Sequence, residues 1–234
     1  MGKSKDRAIV FDIETAPYPI ETLSESQREF LFRYAEKEKD EELKKEKKDE
    51  VIRYLSLYPF TAKIIAIGIY DTLNKKTFVY YESNEQSEWH SNDKTVNYKG
   101  LTEEEMLKSF WKIVAMSNKF VTFNGRNFDV PFLMMRSAMK RIKPTKNLIT
   151  SRYNKKLHID LLEQFTYYGL TKKFNLDFYC QAFGIESPKS KGISGMEVKN
   201  LYEAGKIKEI AIYCGKDVIA TNELYKIWMK YLDM

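Results

Sequence analysis

The chain has 234 residues, 43% of them hydrophobic and 31% charged, with a formal net charge of +6. That balance excludes wholesale disorder. No apolar run reaches the ~20 residues that a membrane-spanning helix needs, so no membrane partner is expected. The basic excess favours a polyanionic partner without proving one. The length suits one well-buried α/β domain with insertions, and a single domain over 1–234 is expected.

The first seven residues are polar and lack the apolar core of a signal peptide, so a cytoplasmic protein is expected. Residues 8–13 (AIVFDI) are mostly apolar and rich in branched side chains, which predicts a buried strand. Pro17 and Pro19 then interrupt regular structure. Residues 21–60 have another texture. Between 36 and 50 every residue is charged except Leu43, and acids outnumber bases. Asp40 with Lys44, and Glu41 with Lys45, are acid-before-base pairs at helical spacing. This predicts a helix or helical hairpin inserted after the first strand, either a solvated face or a clamp near a substrate.

Residues 63–70 and 77–81 predict two strands around a turn at Asp71, Thr72, Leu73 and Asn74, together an antiparallel hairpin. Residues 82–100 are polar and read as a long surface loop. Thr102 followed by Glu105 is a capping-box signal that opens a helix over 102–117. A short strand follows at 120–123, then a helix at 130–140 with Pro131 in its first turn. Residues 157–162 predict a strand leading into a helix, and 176–183 a helix closed by Gly184. Ser194 with Glu197 is a second capping-box candidate. Residues 207–232 predict a long last helix with a possible kink at Gly215. Cys180 and Cys214 both fall in helical segments and read as buried free thiols.

Three segments carry chemistry. In Phe11-Asp12-Ile13-Glu14-Thr15 the two acids are two apart, so in a strand they project to the same side. Buried together they repel, and a divalent cation relieves both the repulsion and the burial. A solvent-exposed strand end is the plain alternative. In Phe123-Asn124-Gly125-Arg126-Asn127-Phe128-Asp129 a strand ends, the chain turns and a helix begins. Asp129 is either a helix cap or an acid aimed at the same centre. In Tyr213-Cys214-Gly215-Lys216-Asp217 the phenol and the carboxylate are four apart, on one helical face.

Taken in this order, the three motifs resemble the DEDD exonucleases, and the tyrosine marks the DEDDy subclass. FDIET and FNGRNFDVPFL are most similar to the proofreading domain of family B DNA polymerases and to its stand-alone relatives. The resemblance runs from Ala8 to about Tyr225, with 21–60 unmatched and no polymerase module expected. It implies a ribonuclease H-like α/β fold: a central mixed five-stranded sheet with helices on both faces, plus the charged helical insertion. It also implies that Asp12, Glu14, Asp129 and Asp217 hold two divalent cations, Mg2+ or Mn2+. In that scheme Asp12 bridges both ions. Glu14 and Asp217 serve the ion that carries the attacking water, and Asp129 serves the other. Tyr213 orients the water, and Asn124, Phe128 and Thr15 contact the substrate.

The implied reaction is 3′→5′ hydrolysis of phosphodiester bonds, with single-stranded DNA the expected substrate and RNA the enzymatic alternative. A catalytically silent nucleic-acid-binding module is the other class. The residue types suit the reaction, because Mg2+ and Mn2+ prefer oxygen ligands. Phe123, Phe128 and residues 165–168 are candidate platforms for unpaired bases, or else core. Lys189, Ser190, Lys191 and Gly192 form a candidate phosphate loop. His158, beside Asp160, is either structural or an accessory to catalysis. No replication or repair partner can be named from the sequence.

Overall fold

A computed structural model describes residues 7–188 and 195–233. The strands are β1 (Ala8–Pro17), β2 (Ala62–Asp71), β3 (Lys76–Glu82), β4 (Glu88–His90), β5 (Val96–Leu101), β6 (Lys119–Thr122) and β7 (His158–Asp160). They form one mixed sheet in the order β4-β5-β3-β2-β1-β6-β7. β1, β6 and β7 run parallel, β2 is antiparallel to both β1 and β3, and β5 is parallel to β3.

The sheet has seven strands where five were expected. The excess comes from 82–100, which is not a loop but carries β4 and the start of β5. Val96 and Tyr98 alternate inward there, and Trp89 stacks on Tyr98 at 3.7 Å between ring centroids. So few apolar residues left the segment looking polar as a sequence.

Helices cover both faces. On one lie α3 (Glu103–Ala115) and α4 (Asp129–Met139). They pack on Ile9, Phe11 and Ile13 of β1 and Ile67 and Ile69 of β2. On the other lie α7 (Gly195–Glu203) and α8 (Ile207–Tyr231), with α5 (Leu161–Phe165) and α6 (Leu176–Ala182) against α8. α8 meets Val10 of β1 and Ala66 of β2. The odd residues of β1 from 9 to 13 thus face α3 and α4, and the even ones face α8. No helix among the described residues is long and apolar enough to cross a membrane.

α8 is one unbroken helix of 25 residues, so Gly215 is not a kink. A Cβ at Gly215 would sit 3.2 Å from Val79 of β3, and one at Gly68 only 2.6 Å from Val218 and 3.0 Å from Cys214. The two glycines let helix and sheet approach closely.

The charged insertion is a helical hairpin of α1 (Glu25–Phe32) and α2 (Glu41–Tyr54), in which neither helix buries a residue. Asp40 does not pair with Lys44. Its carboxylate caps α2 by accepting the amides of Glu42 and Leu43, while Lys44 and Lys48 bind Glu36 and Lys47 binds Glu38. The base of the hairpin is tied to the core. Arg136 binds buried Glu103 through two nitrogens and reaches Tyr18 and the carbonyl of Pro59 on either side of the insertion. The Thr15 hydroxyl donates to the Ser56 carbonyl, holding the end of α2 beside β1.

Candidate active site

β1 outruns its parallel neighbour, since only Ala8, Ile9 and Val10 pair with β6. Beyond Val10 one edge of β1 is open, and the acidic residues follow there. Asp12 and Glu14 project towards α8, opposite Gly68 and Ala66. A β-bulge follows: Glu14 pairs with Ala66 but Thr15 with Ile64, so Ile65 is the extra residue. Ile65 and Ala66 therefore both face the α7–α8 side, while Ile64 and Ile67 face α3 and α4. The bulge bends the sheet beside Glu14.

Asp129 enters the site from the start of α4. Its Oδ1 accepts the Ile13 amide at 3.0 Å, between the two acids of β1. The turn before it is built by Asn124, at φ 62°, a conformation that asparagine tolerates better than most residues. There the amides of Asn124 and Arg126 both donate to Asp160, each at 2.9 Å. Asp160 also caps α5. Arg126 in turn binds Glu163 and the Thr150 carbonyl. Asp160, Arg126 and Glu163 thus fix the aim of Asp129; the sequence reading assigned Asp160 no role of its own. An acid just before a helix, two residues after a buried histidine, was the available signal.

Tyr213 and Asp217 come from α8, and the Tyr213 hydroxyl hydrogen-bonds the Asp217 carboxylate. The structure brings Asp12, Glu14, Asp129, Tyr213 and Asp217 together, and their mutual electrostatics follow. Burial and then Asp217 push the Asp12 carboxyl well above its ordinary range. Burial pushes Glu14 up, and Asp12, Asp217 and Asp129 add to it. Asp129 rises through burial and Asp12, against the opposing Ile13 amide. Tyr213 rises through burial and the neighbouring carboxylates, so its phenol stays protonated. Among the described residues no lysine or arginine forms an ion pair with Asp12, Glu14 or Asp129. An all-oxygen donor set crowded into a buried site fits hard divalent cations.

Cys214 was read as a plain buried thiol, and it is buried and free, but it also abuts the site. Ligand atoms of Asp12, Glu14 and Cys214 all lie within 4.8 Å of one another. Burial followed by the three carboxylates holds the thiol pKa high, and its Sγ donates to the Asp12 carbonyl at 3.8 Å. It stays a neutral thiol, a poor ligand for a hard cation. Its place next to Tyr213 was the only signal.

The candidate substrate residues divide. Glu14, Thr15 and Phe128 line a cleft of about 740 Å³, whose far wall is Arg53 and Tyr54 of α2 and Lys199 and Asn200 of α7. Asn124 is not in that lining, and its side chain accepts from Asn127 instead. Phe123 and Phe165, both partly buried, pack around Tyr179 against the core. His158 is buried and held near Thr122, and burial followed by Arg126 lowers its pKa to about 3, so it is a neutral structural residue at neutral pH. The 189–192 loop and Ser194 lie outside the described residues.

Comparisons with known proteins agree with this architecture. Over 147 residues the chain is 29% identical to a DNA polymerase of Desulfurococcus sp. (strain Tok), a match that covers 53% of this chain and 18% of that protein. The chain therefore spans less than a fifth of the polymerase it matches. The structure of the family B DNA polymerase of the hyperthermophilic archaeon Pyrobaculum calidifontis superposes with a TM-score of 0.62 at 15% identity, covering 96% of this chain and 24% of that one. That likeness is one of fold. A family described as "Predicted 3'-5' exonuclease related to the exonuclease domain of PolB" matches residues 60–234, a span that starts after Asp12, Glu14 and the helical hairpin. The match takes in most of the chain, and the protein belongs to this family of PolB-related 3′–5′ exonucleases.

Proposed function

We propose that the protein is a cytoplasmic, metal-dependent 3′→5′ exonuclease that shortens single-stranded DNA from its 3′ end. The observation that carries this reading is the meeting of four carboxylates and one tyrosine, from both ends of the chain, in one buried centre. Asp12, Glu14, Asp129 and Asp217 would hold two Mg2+ or Mn2+ ions. Such a pair activates a water and stabilises the oxyanion that leaves.

The chain's own residues supply the rest. The Ile13 amide fixes the Asp129 carboxylate, so that acid needs no reorganisation when substrate arrives. The protonated Tyr213 phenol donates its one hydrogen to Asp217, which fixes the phenol oxygen as an acceptor that would orient the attacking water. Phe128 borders the cleft beside Glu14 and Thr15, where it would stack on the terminal base. Asn124 serves by shaping the turn that presents Phe128 and Asp129. The reaction needs neither histidine nor thiol, in keeping with the neutral His158 and Cys214.

The test is an assay with Mn2+ on matched DNA and RNA strands, each blocked at one end. Wild type is expected to release mononucleotides from DNA with a free 3′ end. Asp12→Ala is expected to lose at least ~100-fold in rate. Faster turnover of RNA would reassign the substrate, and full activity in Asp12→Ala would reject the site.

A further inference from the structure

The helical hairpin lies against the site rather than away from it. Tyr54, the last residue of α2, lines the cleft that holds Glu14, Thr15 and Phe128. The same residue lines a second cavity of about 600 Å³ within the hairpin, so the two adjoin at Tyr54. Phe30, Tyr34, Tyr58 and Phe60 border that second cavity and are 62%, 65%, 53% and 55% exposed. Four large aromatic rings held open to water are not core. The Arg33 guanidinium lies 3.8 Å from the Phe30 ring centre and 4.4 Å from that of Tyr34, which puts positive charge on the aromatic surface. Arg53 is exposed at the cleft and makes no ion pair among the described residues. Three of the four lysines of α2 differ, since Lys44, Lys47 and Lys48 are engaged by Glu36 and Glu38.

We propose that the hairpin between β1 and β2 is a binding surface for the unpaired strand on the 5′ side of the nucleotide being removed. Tyr54 is its stacking platform and Arg53 a phosphate contact. The proposal rests on the nuclease reading above. Exposed rings interleaved with guanidiniums match what an unpaired strand offers, flat bases and spaced phosphates. With Tyr54 lining both, a strand crossing its ring would run from the aromatic cavity to the cleft beside Glu14. Asp49 and Glu50 also line these cavities. They disfavour close phosphates on that side of α2, so stacking carries most of the affinity and the phosphates lie towards Arg53.

The test measures binding apart from hydrolysis. A fluorescein-labelled oligothymidylate of about 12 nucleotides is titrated in EDTA and followed by anisotropy, across a range of salt. Tyr54→Ala is expected to weaken binding about tenfold, and Tyr54→Phe to restore it, because the ring and not the hydroxyl stacks. Arg53→Ala is expected to lower the slope of log affinity against log salt by about 0.7, the value of one phosphate contact on a single strand. Wild-type affinity in Tyr54→Ala overturns the proposal, as does an equal loss in Tyr54→Phe or a wild type that does not bind. Because no turnover is needed, strand binding that depends on Tyr54 in a protein without nuclease activity would leave the surface standing and sink the nuclease reading. Nuclease activity with unchanged binding in the variants would do the reverse.

Discussion

Glu14 is 8% exposed and shares its surroundings with three other acids. Burial first, and then Asp12, Asp217 and Asp129, hold its carboxyl well above the ordinary range. In the unfolded chain the same group titrates near its usual ~4.3. Between these two values the native state binds more protons than the unfolded one. Stability therefore falls as pH rises through that window, the reverse of an ion-paired carboxylate. Glu14→Gln removes one such group. In EDTA the variant is expected to gain on wild type as pH climbs from about 4 to about 7, and to be more stable at the upper end by roughly 1–2 kcal/mol. Urea denaturation at several pH values measures this, and a difference that stays flat with pH would show that Glu14 is not under electrostatic stress. At this scale the sequence was informative about Glu14 and silent about its neighbours. The spacing of Asp12 and Glu14 already put both on one side of a strand. Nothing local said that the Ile13 amide would hold Asp129 or that Asp160 would gather the turn, because those partners are 116 and 34–36 residues away.

At the scale of elements, α8 is placed by what is missing from the strand beneath it. Gly68 lies opposite Asp12 on β2, and a Cβ there would press on Val218 and on the side chain and backbone of Cys214. The branched Val218 and a helix backbone have little room to give. Gly68→Ala is expected to cost about 1–3 kcal/mol and to push α8 outward, taking Tyr213 and Asp217 with it. Exonuclease rate should then fall under conditions where thermal melts show the variant fully folded. An unaltered rate in a folded Gly68→Ala protein would mean that α8 does not set the site. The elements themselves were legible where their signals are local. The capping box at Thr102 forms, and the hairpin of β2 and β3 closes on an Asp71 carboxylate that accepts the Leu73 and Asn74 amides. β4 and β5 were not legible. Their evidence is a stack between Trp89 and Tyr98 and an inward valine, and such cross-strand contacts exist only once the strands are paired.

Across the whole molecule, like charges converge in a low-dielectric centre, and a cation bound there would offset the cost of gathering them. Mn2+ bound at this centre as proposed would stabilise the folded state by mass action, by about 2.7 kcal/mol at a hundredfold excess over Kd. A rise in melting temperature with Mn2+ is expected for wild type and should vanish when Asp12→Asn and Asp129→Asn are combined. A shift of equal size in that double variant would place the cation elsewhere. The sequence by itself determined most of the elements and the charged character of the hairpin, which follow from spacing and composition within a few residues. The acids it singled out only through the resemblance that three motifs carry together. Only the tertiary structure decided that β1 outruns β6, that a bulge at Ile65 turns the sheet beside Glu14, and that α2 walls the cleft. Those outcomes depend on which distant segments pair and pack, and burial energy is set by the contacts of the whole fold rather than by any stretch of chain.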